Sequence, residues 1–119
     1  MNEELKEKIL TNAWKTKFRC STIQLLSLIL EYSTTGDMKY IHKALSFMNS
    51  SLVEYNTTLI EDDFHKTKLL RNLLTSGVDD RLIIALRLFM EGERGCALWA
   101  LEEFCEECNP ISDRIIDGR

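Results

Sequence analysis

Apolar side chains return every three or four positions along most of this chain, the period of helices that turn one face to a core. Leu5, Ile9, Ala13 and Trp14 mark a first helix over 2–18, with Trp14 expected as an anchor of its apolar face and Lys6, Lys8, Lys15 and Lys17 turned elsewhere. A second helix, capped by Ser21 or Thr22, carries Ile23, Leu26, Leu28, Ile29 and Leu30 and stops before Gly36. It is apolar nearly all round, which predicts a central position. Asp37 can cap a third helix, in which Met38, Ile41, Leu45, Met48 and Leu52 share a face. Asn49-Ser50-Ser51 interrupts that pattern, and Thr57-Thr58 lowers helix propensity, so only a short irregular helix is expected over 52–60.

Glu61-Asp62-Asp63 places negative charge where a helix N-terminus favours it, ahead of a fourth helix carrying Phe64, Leu69, Leu70, Leu73 and Leu74 and ending at Gly77. Asp79 or Asp80 caps a fifth helix over 81–91. Its Leu82, Ile83, Ile84, Ala85, Leu86, Leu88, Phe89 and Met90 leave little room for a polar face and predict the most buried element. The turn Gly92-Glu93-Arg94-Gly95 is short enough to fold a sixth helix, 96–108, back as an antiparallel partner. Asn109-Pro110 ends it, and 110–119 forms a tail with an apolar grip at Ile115 and Ile116. No segment shows strand alternation with hairpin chemistry, so the fold class is all-α, a compact bundle of about six helices.

A near-repeat adds a second possibility. Thr34-Thr35-Gly36 leading to Ile41, Ala44 and Leu45 returns 41 residues later as Thr75-Ser76-Gly77 leading to Leu82, Ala85 and Leu86. That is the period of armadillo and HEAT-like helical units, and two such units are an alternative to the plain bundle. Two units are fewer than the three a solenoid needs. At 119 residues the chain fits one domain, 1–119, able to bury a core without staples.

The charged N-terminus has no apolar segment of a signal peptide behind it. The longest apolar stretch, 23–30, falls far short of a membrane span. A soluble cytoplasmic protein is therefore expected, with Cys20, Cys96, Cys105 and Cys108 reduced. The net charge of −4 is unevenly placed: residues 1–60 hold 7 Lys/Arg against 6 Asp/Glu, and residues 61–119 hold 8 against 13. An acidic C-terminal half repels nucleic acid and anionic lipid and favours basic proteins.

Candidate chemistry is sparse. Cys105 and Cys108 form C-x-x-C, and with Cys96 and either His42 or His65 could be imagined around zinc. The second paired cluster of a structural zinc site is missing, and Glu102, Glu103, Glu106 and Glu107 would raise the thiol pKa values, so packing is the simpler role. Asp62 and His65 stand at i, i+3 without the further Glu-x-x-His pairs of a di-metal bundle. Lys6, Lys8, Lys15, Lys17 and Arg19 could make a stripe for phosphates, but Glu3, Glu4 and Glu7 interleave, which reads as a solvated helix surface. No phosphate loop, nucleophile elbow or H-E-x-x-H occurs, so neither an enzyme nor a cofactor is expected.

An acidic ridge remains. With Leu98, Leu101, Phe104 and Cys105 inward, the sixth helix turns Glu102, Glu103, Glu106 and Glu107 to solvent, with Glu91 and Glu93 across the preceding turn. Carboxylates near a helix C-terminus oppose its dipole and repel each other, a local cost that hints at use. The sequence therefore points to a small protein-binding module with these six residues as the contact. Its most concrete form is an inhibitor or immunity-type antagonist covering a basic toxin or nuclease. The alternatives are a helical-repeat adaptor or phage-type regulator that holds a peptide helix, favoured if apolar residues on helices two to four are exposed, and a metal-dependent bundle enzyme.

Overall fold

The computed structural model describes residues 1–50 and 62–108, with Cys108 described by its backbone alone. Among these residues the chain is all helix: α1 Glu3–Lys15, α2 Cys20–Thr35, α3 Lys39–Asn49, α4 Asp63–Thr75, α5 Asp80–Met90 and α6 Arg94–Cys108. The expected irregular helix over 52–60 and the 110–119 tail lie outside the described residues. Helix ends follow local chemistry. Asn2, Asp37, Asp62 and Asp79 accept backbone N–H groups of Leu5, Lys39, His65 and Arg81 at 2.8, 2.9, 3.1 and 2.8 Å, satisfying donors that a helix start leaves open.

Four helices stop where the backbone turns left-handed, at Lys17, Gly36, Gly77 and Gly92. After α4 the N–H groups of Gly77 and Val78 reach back to the carbonyls of Leu74 and Leu73, a Schellman ending. Gly92 and Glu93 repeat it on Phe89 and Leu88, and Lys17 and Phe18 repeat it on Trp14 and Ala13. The third case explains why α1 is shorter than the periodicity predicts: a lysine stands where glycine usually signals the stop.

Two other boundaries depart from expectation. α2 begins at Cys20 with Arg19 as its cap residue and no side-chain cap bond, so Ser21 and Thr22 lie inside the helix and Thr22 is fully buried. α6 begins at Arg94, with Glu93 accepting from the Ala97 N–H, so Gly95 is helical.

The core is built from the inward rows of five helices around α2, which packs against α1, α3 and α5. Leu25, Leu26, Ile29 and Leu30 of α2 meet Ile41, Ala44 and Met48 of α3, Leu82, Ala85 and Leu86 of α5, and Leu101 and Phe104 of α6, all inaccessible to solvent. α5 and α6 form the most extensive pair. They run antiparallel, since Arg81 at the start of α5 bonds Glu107 at the end of α6. Of the 41-residue correspondence, Gly36 and Gly77 are both left-handed and the pairs Ile41/Leu82 and Ala44/Ala85 are fully buried, but Leu45 is half-buried where Leu86 is fully buried. No helix among the described residues is long and apolar enough to cross a membrane.

α1 corrects two expectations. Its buried stripe is Lys6, Ile9 and Ala13, so Trp14, one position further round, is 59% exposed and anchors nothing. Lys6, expected at the surface, sits on that stripe. Its ammonium is held by Glu3 at 2.9 Å and by Glu31 of α2, and the two carboxylates keep it protonated well above the ordinary lysine range.

Candidate functional site

α4 and α5 are joined through residues 76–79 and lie antiparallel, as shown by Lys66 near the start of α4 reaching Glu91 beyond the end of α5 at 3.5 Å. Leu69 and Leu73 face the core from α4, and Leu82, Ala85, Leu86 and Phe89 face it from α5. Both helices carry a second apolar row. Leu70 and Leu74 on α4 and Ile83 and Ile84 on α5 line an open groove of about 660 Å³, with Leu74 57% and Ile84 51% exposed.

Charges frame this groove. At one end Lys66 lies between Asp63 at 3.3 Å and Glu91, and Arg87 donates to Glu91 at 3.2 Å, which ties the rims together. At the other end Arg71 and Asp80 line the groove without an ion pair among the described residues. The sequence carried the signal for the groove in the near-continuous apolar run of α5. Read as complete burial, that run in fact serves two faces, one inward and one open.

The six carboxylates of the acidic ridge do not lie together. Glu102, Glu106 and Glu107 are exposed and Glu103 is half-buried. Glu107 is bonded to Arg81, whose guanidinium also grips Asp79 through Nε at 3.0 Å and Nη2 at 2.8 Å and stacks 4.7 Å from the Phe104 ring centroid. The Arg81 bonds, with the Arg81 N–H at the helix cap, hold the Asp79 carboxyl below the usual range, and Asp79 in turn raises Arg81. Glu91 is occupied by Lys66 and Arg87. Glu91 and Glu93 precede α6 while Glu106 and Glu107 end it, about 20 Å away at 1.5 Å per residue. Glu102, Glu103 and Glu106 make no ion pair with another described residue.

The thiols are likewise dispersed. Cys96 is exposed in the first turn of α6, and Cys105 is half-buried against the core with its sulfur 3.9 Å from His42 Nδ1. The two stand nine positions apart on the helix, about 13 Å, so they cannot share one metal. Among the described residues no group of three His, Cys, Asp or Glu side chains could hold an ion. Packing describes Cys105 but not Cys96. Asp62 and His65, 3.4 Å apart, make a helix start: the His65 N–H that Asp62 caps is the main reason its carboxyl titrates low.

Comparison with protein-family models, with curated proteins and with solved structures gave no match.

Proposed function

We propose that this chain is a protein-binding module whose α4–α5 groove receives the apolar face of an amphipathic helix from a partner protein. The observation that carries this reading is the pair Leu74 and Ile84, more than half exposed on facing walls of an apolar trough. Two helices side by side offer a helix-shaped channel, and a third helix laid in it buries residues at i, i+3, i+4 and i+7 against Leu70, Leu74, Ile83 and Ile84. The charged rims suit the polar flanks of such a helix. This is the adaptor form of binding, favoured because apolar side chains on the fourth helix are open to solvent.

Helices selected from a displayed library of amphipathic peptides on the wild-type protein test it. Leu74→Lys with Ile84→Lys should weaken the selected peptides at least about tenfold, the scale of a lost interface anchor, with the far-UV circular dichroism unchanged. Peptides that bind the double variant as tightly as the wild type would place the interaction elsewhere.

A second reading, an antagonist of a basic toxin or nuclease, is supported by Glu102 and Glu106, which are exposed and without ion pairs among the described residues. It uses a different face, α6, so the two readings separate by which variants lose binding.

A further inference from the structure

The opposite flank of α4 has a different character. α1 and α4 touch only lightly, and two recesses of about 120 and 240 Å³ run along the crease between them, sharing Ile9, Asn12 and Asn72. The larger adds Lys8, Thr75 and Ser76; the smaller adds Lys15, His65 and Lys68. On each helix these are single rows: positions 8, 12 and 15 on one, 65, 68, 72 and 75 on the other, at helical spacing. Among the described residues neither recess is lined by an aspartate or glutamate, in a chain with 19 acidic and 15 basic residues.

Lys6, Lys39, Lys66, Arg81 and Arg87 have carboxylate partners, whereas Lys8, Lys15 and Lys68, like Lys17, Lys43 and Arg71 elsewhere, make no ion pair among the described residues. Lys15 and Lys68 come from two helices to line a recess floored by the buried Ile9, Ala13, Phe18 and Leu69, and Lys8 lines the neighbouring one. An apolar floor lowers the local dielectric and strengthens attraction to an anion. The amides of Asn12 and Asn72 add neutral N–H donors at the centre. Asp62 is tied to one wall through His65. Sequence spacing grouped Lys8 and Lys15 with Lys6, but Lys6 turns to Glu31 and Lys68 takes its place.

We propose that the α1–α4 crease binds a small phosphorylated molecule, its phosphoryl group between Lys15 and Lys68 in the smaller recess and its polar body along Asn12, Asn72 and Ser76 in the larger. Phosphate is the anion whose several acceptor oxygens match convergent ammonium and amide donors. The smaller recess, at about 120 Å³, has room for a phosphoryl group. This site is independent of the α4–α5 groove, which uses other residues of α4.

The test is titration of the ¹⁵N-labelled protein with inorganic phosphate, adenosine monophosphate and acetate, followed by amide shifts. Phosphate and the nucleotide should move the amides of residues 8–16 and 65–76, the nucleotide binding at least about tenfold more tightly because its body adds contacts, and acetate should do little. Lys15→Gln with Lys68→Gln should reduce nucleotide affinity at least about tenfold, whereas Lys39→Gln with Lys43→Gln, on α3, should leave it unchanged. Equal responses to acetate and phosphate, or equal losses from both double variants, would overturn the site as nonspecific charge. Shifts in the crease from a single-stranded oligonucleotide with none from phosphate or the nucleotide would overturn the small ligand.

Discussion

Lys17 is the residue at which local geometry and residue type disagree most. It holds φ +61 at the left-handed position of a Schellman ending that Gly77 and Gly92 fill elsewhere. A side chain there costs roughly 1–2 kcal/mol, while the extra freedom of glycine in the unfolded chain costs roughly 0.5–1 kcal/mol. The first term is larger, so Lys17→Gly should stabilise the protein by about 0.5–1 kcal/mol in urea denaturation. Gly77→Ala should do the reverse by about the same amount, and for conformational reasons only, because nothing lies within 4 Å of the added Cβ. Equal stability of both variants and the parent would show that the left-handed turns carry no strain. Asp79 joins two roles, capping α5 and gripping Arg81. The Arg81 pair is part-exposed and contributes little by itself, so the cap dominates and Asp79→Ala should lose about 1–2 kcal/mol at pH 7. Because the folded carboxyl titrates below its unfolded value, this stabilisation is complete above about pH 4 and is lost as pH falls through the folded pKa. The difference between wild type and variant should therefore be flat near neutrality and close in acid; a difference that widens in acid would reverse the assignment.

At the scale of the elements, periodicity located all six helices because each has an inward row long enough to read, and glycine marked the ends of α2, α4 and α5. What it could not show is how wide each buried stripe is. α1 contacts α2 and only lightly α4, so its stripe is narrow enough to leave Trp14 outside and to include Lys6, whose methylene stem and two carboxylate partners make burial tolerable. α5 is read as wholly buried from composition, yet Ile83 and Ile84 face the groove. Apolar content gives the number of faces to be covered, and only the packing of α4 beside α5 shows that one of them stays open. The same limit hid the crease, whose lysines come from segments more than fifty residues apart. This distinction between inner and outer rows has a measurable consequence. Leu86→Ala and Leu101→Ala remove fully buried side chains and should each cost about 2–5 kcal/mol. Leu74→Ala and Ile84→Ala, on the groove, should stay within about 1 kcal/mol of the parent. If all four variants unfold at similar denaturant concentrations, the groove is not an open surface.

For the whole molecule, charge is sorted by face more than by half of the sequence. Within residues 61–119 Glu91 and Glu107 are drawn into ion-pair networks, while the α1–α4 crease brings together lysines without ion pairs among the described residues. The net −4 of the chain thus conceals a donor-rich recess on one side and the C-terminal turns of α6 on another. There the carboxylates differ in consequence. Glu106 stands exposed in the last turn of α6, at the negative end of the helix dipole, and Glu102 repels it from i−4; neither has an ion pair among the described residues, and both effects oppose folding. Glu107 meets the same dipole but bonds Arg81, linking the end of α6 to the start of α5. Glu102→Gln with Glu106→Gln should therefore raise stability by about 0.3–1 kcal/mol at low salt, a gain that shrinks as salt screens the repulsion it relieves. Glu107→Gln weakens the charge-assisted bond to Arg81 and should be neutral or destabilising in the same buffer. If all three substitutions stabilise alike, the Arg81 bond contributes nothing. If Glu102 and Glu106 destabilise when neutralised, they are held by favourable contacts, and their exposed charge would no longer be a local cost available to a basic partner.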